Sequence, residues 1–240
     1  MVKILKMFIV CMFGSLFMTS CLKNNELRVY AELYSVIKSS AGTTYFSSDE
    51  ELDLYLENGS FDPKWGNVGD RVLVGFFYNP TTIAENDTKV NITLENLTSI
   101  RTVSSALLPT AADSVGSGTF VYDNNSSQSG IIAWAAQNYL TAIFFVRYTD
   151  ATKHSFGFIE EPELFHNDTL FFTMWHNAKD DSKTRTSKSH LALDLSGYDN
   201  YLSARDSTVI SIKYNVENQS SSGTEKYTYN VMYRKRYNTR

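Results

Sequence analysis

The sequence contains very little cysteine and proline. Its 240 residues include two cysteines, Cys11 and Cys21, and none follows Cys21. The part of the chain after Cys21 therefore has no disulfide and no zinc site built on thiolates. Only 4 prolines stand against 15 phenylalanines and 15 tyrosines, a composition that favours a folded, strand-rich protein over a disordered one.

Basic charge is also scarce. The formal net charge is −4, and the chain after residue 20 has 20 Lys and Arg against 26 Asp and Glu. Nucleic-acid binding relies on clustered Lys and Arg, and the one tight basic group lies at the C-terminus, in Arg234–Arg236 and Arg240. We interpret that group as a solvated strand end. The sequence therefore predicts no nucleic-acid partner.

The N-terminus has the parts of a secretory leader. Lys3 and Lys6 precede an apolar run from Met7 to Phe17, which is followed by Met18-Thr-Ser-Cys21. The last four residues resemble the lipobox of bacterial lipoproteins, with Met18 where leucine is usual. We expect a signal peptide over residues 1–20, lipidation of Cys21 and a tether over residues 21–25. The alternative is an ordinary signal peptide with a chance cysteine.

Lipidation of Cys21 predicts the location of the protein. One acyl chain holds a membrane only marginally, with an association constant of about 10⁴ M⁻¹, whereas several chains anchor a protein stably. The residue after Cys21 is Leu22 rather than Asp, which argues against retention in the inner membrane. We expect an outer-membrane lipoprotein of the cell envelope, and the leaflet stays open.

Residues 26–103 predict a small closed barrel. Leu52, Leu54 and Leu56 alternate with polar residues, and glycines mark the bends between short strands. Five strands in so short a stretch are typical of an oligonucleotide/oligosaccharide-binding (OB) fold. The predicted strands cover residues 27–37, 43–47, 52–56, 72–78 and 88–103.

Residues 104–240 predict an antiparallel β-sandwich. Thr208, Ile210, Ile212 and Tyr214 alternate with Val209, Ser211, Lys213 and Asn215, which predicts one apolar face and one solvent-facing face for this strand. No helical period is evident. The aromatic strand that begins at Asp168 and the strand Leu191–Ser196 are interpreted as a central hairpin. The predicted strands cover residues 118–122, 131–136, 139–148, 153–159, 169–175, 191–195, 207–215 and 224–237.

Three stretches, together with the lipobox, resemble the NigD-like lipoproteins: Gly69–Val72 in the barrel, and Leu170–Ala178 and Leu193–Ser196 in the sandwich. The resemblance implies an N-terminal OB domain and a C-terminal β-sandwich. It also implies an envelope protein with a protein partner, for which a bacteriocin immunity role has been proposed. No enzyme activity and no cofactor is established for that family.

The candidate metal ligands lack a specific spacing. No histidine pair is two or four residues apart, so we predict no metal site and interpret the histidines as caps at strand ends. Glu160–Glu163 is interpreted as an exposed loop. Val115–Gly118 lacks the strand–turn–helix context of a nucleophile elbow, so we predict no catalytic or cofactor-binding residue. The candidates considered as ligands are His154, His166, His176, His190, Glu160, Glu161, Glu163, Asp180 and Asp181.

The three tryptophans bear on binding. We expect Trp134 and Trp175 in the core, whereas Trp65 stays open between core and a sugar-stacking surface. The sequence as a whole predicts a non-catalytic binding module held at the membrane by Cys21, with bacteriocin immunity as one form of that role. The alternative is a carbohydrate-binding accessory lipoprotein.

Overall fold

A computed structural model describes residues 27–57, 59–107, 118–121, 130–166, 168–179, 181, 184–217 and 223–234. The predicted signal peptide, the tether and Cys21 lie outside these residues. The chain divides into two compact units, with the boundary between Ile100 and Arg101. Each unit has its own hydrophobic core.

The first unit is a closed five-stranded barrel, as the sequence predicts. Its strands are joined in the order β1-β2-β3-β5-β4, and β4 returns to pair with β1. All pairs are antiparallel except β3 with β5. The strands are β1 (Val29–Ser40), β2 (Thr43–Ser48), β3 (Asp53–Leu56), β4 (Arg71–Tyr78) and β5 (Lys89–Ser99).

Alternating apolar residues fill the barrel, because successive side chains of a strand point to opposite faces. At Gly75 the pairing of β4 with β5 shifts register. A β-carbon at this position would lie 2.6 Å from the hydroxyl of Tyr30 and collide with the side chain of Asn96, so this close approach requires glycine. The barrel core consists of Leu33, Ile37, Phe46, Leu54, Val72, Val74, Phe76, Val90 and Ile92.

The barrel strand predicted to run to Val103 ends earlier. β5 stops at Ser99, and the backbone N–H of Ile100 donates to the carbonyl of Arg71. Thr102 and Val103 instead pair with Ala192 and Leu193 in the second unit. The prediction was wrong because apolar alternation alone does not say which sheet a strand joins.

A buried ion pair lies in the first unit. The side chain of Arg71 is fully buried and donates both terminal nitrogens to the carboxylate of Asp49, with an Nη1–Oδ1 distance of 2.7 Å. The guanidinium also lies 5.8 Å from the centre of the Tyr34 ring. Burial raises the pKa of Tyr34 to about 12, although the positive charge of Arg71 opposes that shift. This two-pronged contact satisfies a charge that would be very costly to bury alone.

The second unit contains two sheets that enclose a shared core. One has five strands in the order β14-β13-β11-β10-β7, and the other has four in the order β6-β12-β9-β8. The strands are β6 (Thr102–Val103), β7 (Ala106–Leu107), β8 (Ile131–Ala136), β9 (Tyr139–Tyr148), β10 (Ser155–His166), β11 (Thr169–Asn177), β12 (Arg185–Asp194), β13 (Ser207–Glu217) and β14 (Thr224–Arg234).

The sandwich confirms the predicted fold class, but it is not purely antiparallel. Three of its pairs are parallel: β6 with β12, β7 with β10, and β11 with β13. The predicted central hairpin was also wrong. β11 lies between β10 and β13, whereas β12 lies between β9 and β6, so the chain passes from one sheet to the other between them.

The sheets bury the residues that alternation assigns to the inside. Ile210, Ile212 and Tyr214 of β13 are buried, as predicted, and Leu170, Phe172 and Met174 of β11 face the same core. A five-residue helix, Asp199–Ser203, follows a short turn after β12 and places Leu202 in this core. The sequence does not predict this helix, because five residues are too few to show a helical period.

We predict that Asp49→Asn lowers the free energy of unfolding by about 3–5 kcal/mol, because it leaves the buried charge of Arg71 without its partner. Chemical denaturation measures the change. Replacing both residues, as Asp49→Leu with Arg71→Met, is expected to cost less than the single change. Asp87→Asn, at an exposed position of the same unit, is the control and should stay within about 0.5 kcal/mol of the parent. An equal loss in Asp87→Asn would contradict the prediction.

Candidate functional site

Two histidines and an aspartate converge inside the sandwich. His176 occupies the next inward position of β11 after Leu170, Phe172 and Met174, so strand alternation carries it into the core. His154 directly precedes β10, and Asp181 follows the end of β11. All three side chains are buried.

The three side chains and the backbone carbonyl of Thr119 form one hydrogen-bonded line, which we call the relay; its order is Thr119, His176, His154 and Asp181. His176 Nδ1 lies 3.2 Å from the carbonyl oxygen of Thr119, and His176 Nε2 lies 2.8 Å from His154 Nδ1. His154 Nε2 lies 3.1 Å from Asp181 Oδ2. The relay therefore joins four segments of the chain that are distant in sequence.

Backbone groups hold the acidic end of the relay. The N–H groups of Thr149 and Asp150 donate to Asp181 Oδ2 at 2.5 and 2.9 Å. The hydrogen bond from Thr149 is the main cause that lowers the pKa of Asp181 to about 2; burial acts in the opposite direction. Asp181 is therefore a carboxylate at neutral pH.

Aromatic rings surround the other end. The ring of Phe156 stacks on His176 with a centroid distance of 4.7 Å and an angle of 20°, and Phe120 lies 5.8 Å away. Gly118 approaches from the adjacent segment, where a β-carbon would lie 2.6 Å from His176 Nδ1. Phe156, Phe120 and Gly118 thus pack closely around His176, and the relay is an integral part of the core.

A second polar cluster lies where Tyr198 packs against β10. The hydroxyls of Ser105 and Tyr198 both donate to Glu160 Oε1, with a distance of 2.6 Å for Ser105. Burial is the main cause that raises the pKa of Tyr198, and the bond to Glu160 adds to it. The cluster fixes the turn after β12 onto β10, because Tyr198 belongs to that turn.

The structure brings together three of the nine residues considered as metal ligands, in a different role. His154 and His176 do lie at strand ends, as the sequence predicted, but their side chains bind one another and Asp181 inside the core. Among the described residues, no group of three His, Cys, Asp or Glu side chains is arranged to hold a metal ion. His166 ends β10 and is exposed, and His190 lies in the other sheet.

The acidic stretch Glu160–Glu163 is not an exposed loop. It belongs to β10, where a register shift follows Glu160, and the side chains of Glu160 and Glu161 are half-buried. Asp180 lies outside the described residues, as does the side chain of Glu163. No spacing signal pointed to the relay, since His154, His176 and Asp181 meet only through strand pairing and a loop.

The prediction that two tryptophans lie in the core was wrong. Trp134 and Trp175 are half-buried on the outward faces of the two sheets, one residue out of phase with the buried positions. Trp175 lies over Gly157, whose absent β-carbon leaves room for the ring. Trp65 is half-buried against the barrel core, edge-on to Phe61 at 5.4 Å.

The outward face of the four-stranded sheet carries an apolar group, which we call the outer patch: Ile132, Trp134, Ile143 and Phe145. Ile132 is 43% exposed, and the other three are half-buried. Ile132 stands directly opposite Ile143 in the pairing of β8 with β9. Outward positions of a sandwich are usually polar, so this patch departs from the usual pattern.

A small cavity lies on the barrel. Its volume is about 130 Å³, below the roughly 300–1,000 Å³ of typical small-molecule sites. Thr93 accepts a hydrogen bond from Arg28 and donates one to Glu57 within it. The lining residues are Arg28, Glu57, Phe77, Tyr78, Asn79, Thr82 and Thr93.

Comparison with known families identifies the second unit. Residues 125–230 match the NigD-like C-terminal beta sandwich domain. This stretch of the second unit is a NigD-like C-terminal β-sandwich domain. The family resemblance predicted from the sequence is confirmed over these residues, which include the outer patch and the side chains of His154, His176 and Asp181. No curated protein matches the sequence.

Several solved structures share the fold. A protein described as toxin-related from Parabacteroides distasonis is 19% identical, with a TM-score of 0.57, and the match covers 85% of this chain and 93% of the other. A NigD-like immunity protein from Bacteroides caccae is 17% identical, with a TM-score of 0.58 and coverages of 87% and 99%. A protein described as a lipoprotein from Bacteroides fragilis is 12% identical, with a TM-score of 0.63 and coverages of 85% and 98%. At these identities the likeness shows the fold alone.

The carboxylate of Asp181 gives a pH prediction. Its lowered pKa means that it stabilises the folded state above the ordinary aspartate value of about 3.9, and that this contribution is lost as the pH falls toward about 2. We expect Asp181→Asn to lower stability at pH 6 and to lose less further stability than the parent between pH 4 and 2.5.

Urea unfolding at a series of pH values measures this difference. The control is Asp199→Asn, at an exposed position of the same unit, which should keep the acid dependence of the parent. Identical acid dependence in Asp181→Asn and the parent would show that the relay carboxylate contributes nothing.

Proposed function

We propose that this protein is an envelope lipoprotein, anchored in the outer membrane through Cys21, that works by binding another protein. It has no catalytic role in this proposal. The matched family is NigD-like and is not a known enzyme family. The anchor rests on the leader and on Met18-Thr-Ser-Cys21, and the B. fragilis protein described as a lipoprotein has a similar fold. No helix among the described residues is long and apolar enough to cross a bilayer.

The outer patch is the observation that carries the binding proposal. Contiguous exposed apolar surface on a soluble domain commonly marks an interaction site. The outward face of the five-stranded sheet is a weaker candidate, because an ion pair between Lys213 and Glu161 interrupts it. The outer patch has two aromatic and two aliphatic side chains in adjacent rows, as in the centre of many protein interfaces.

The polar clusters support a role without catalysis. The relay and the Glu160 cluster consist of groups that bind one another inside the sandwich. A catalytic acid, base or nucleophile must reach a substrate, and these groups are used within the fold. The sugar-binding alternative loses its main candidate, since Trp65 packs against the barrel core.

Bacteriocin immunity is the specific form of this proposal. One structure of similar fold is named a NigD-like immunity protein, and another is described as toxin-related. In this form the protein binds a toxin at the envelope and so protects the cell that produces it. Deletion of the gene should sensitise cells to the cognate toxin. Killing curves that are the same with and without the gene would contradict the immunity role.

We predict that Cys21→Ser releases the protein from membranes. The change removes the thiol that carries the lipid, whereas the apolar run of the leader is too short to serve as a stable spanning helix. Fractionation and detection with an antibody measure the membrane-bound share. Cys11→Ser is the matched control and should remain membrane-bound. Membrane retention of the Cys21 variant would contradict the anchor.

We predict that Ile132→Asp abolishes cross-linking to the protein partner, because it places a charge in the outer patch. Intact cells are treated with a cross-linker, and partners are recovered with the protein and compared with the parent. Met232→Asp is the matched control, since Met232 is 52% exposed on the outward face of the other sheet. Equal recovery of the partner with both variants would contradict binding through the outer patch.

A further inference from the structure

The relay has more hydrogen bonds than two neutral histidines can supply. Its ends are acceptors, since the carbonyl of Thr119 has no proton to give and the carboxylate of Asp181 is ionised. Three links join these ends through two imidazoles. Each link needs one proton, whereas two neutral imidazoles carry only two between them.

The third proton belongs on the histidines. Asp181 Oδ2 already accepts two backbone N–H groups, and this arrangement favours the charged carboxylate. The pair His154–His176 then carries one positive charge, shared across the 2.8 Å contact between the rings and balanced by Asp181. A buried charge with a bonded partner of opposite sign avoids the cost of an isolated one.

The other named neighbours of the two imidazole rings bring no charged side chain into contact with them. Tyr148, from the end of β9, approaches His154 edge-on at 6.4 Å. Phe156 of β10 and Phe120 of the adjacent segment are apolar. Asp150 contributes its backbone N–H to Asp181, while Lys153 and Lys179 are exposed. Among the described residues, the charged partner bonded to the pair is thus Asp181.

We propose that the His154–His176 pair holds one proton beyond the two of its neutral rings in the folded protein, shared between the rings, and works as a pH-sensitive latch on the sandwich. The latch joins the connection between β9 and β10, the end of β11, the segment at Thr119 and the loop at Asp181. Loss of the proton sets two lone pairs against each other in one link. Gain of a second proton sets two N–H groups against each other between the rings.

The linkage has a distinct sign on each side of the ordinary histidine pKa of about 6.5. Above it, both histidines of the unfolded chain are neutral and the folded pair holds one more proton, so stability falls as the pH rises. Below it, the two histidines of the unfolded chain bind two protons beyond those of their neutral rings, whereas the folded pair binds only one. Stability therefore falls as the pH decreases. The contribution of the relay therefore peaks near pH 6.5, and the unfolding constant changes by up to about tenfold per pH unit on either side.

Stability curves test this shape. The unfolding constant of the purified protein is measured from pH 5 to pH 8 and compared with that of a variant carrying His154→Gln and His176→Phe. The difference between the two curves should peak near pH 6.5. The matched control carries His166→Gln and His190→Phe, which alter the other two of the 4 histidines, and it should keep the peak. A difference curve that rises or falls steadily across this range would overturn the proposal.

A second measurement does not depend on a variant of the relay that folds. Long-range ¹H–¹⁵N spectra at pH 7.5 report how many ring nitrogens of each histidine are protonated. The control variant leaves only His154 and His176 in view. We expect three ring protons on the two residues, with the proton between the rings exchanging slowly with water. A count of two or four ring protons on His154 and His176 would overturn the proposal.

Discussion

The strict alternation of β11 is the constraint on which the sandwich site depends. Every second residue of this strand points into the core, and Leu170, Phe172 and Met174 fill that row with apolar volume. The next inward position is His176, so the pleat that builds the core also inserts a polar ring into it. A buried imidazole needs partners. The positions of Thr119, His154 and Asp181 follow from that need, as the relay satisfies both nitrogens of each ring.

The two units use buried charge in different ways. Arg71 and Asp49 form a buried two-pronged ion pair, which is a fixed element of the first unit. The relay is built from histidine, the residue type whose free side chain changes charge near neutral pH. The first contact is an ion pair between an arginine and an aspartate, whereas the proton proposed for the relay would make the stability of the sandwich depend on pH.

The fold was largely predictable because short alternating strands and turn residues are local signals. Such patterns correctly predicted the barrel strands, apart from the end of the last one, and the buried row of Ile210, Ile212 and Tyr214. The pairing of strands was harder to predict from the sequence. β11 and β12 are adjacent in sequence but lie in different sheets, and no local pattern encodes this. The relay could not be predicted for the same reason, because its residues meet only through the pairing of strands and a loop. Trp134 and Trp175 were misplaced because size and hydrophobicity suggested burial, while the phase of their strands turns them outward.

The parallel pairs of β6 and β7 bear on how the sandwich is made. These two short strands begin the second unit, yet their partners, β12 and β10, come much later in the chain. Contacts between distant segments are costly in loop entropy and slow to form. During synthesis the segment Thr102–Leu107 therefore remains without its partners, and the first unit can fold while the second is incomplete. The sandwich closes only when β12 arrives, so its assembly is governed by the last third of the chain.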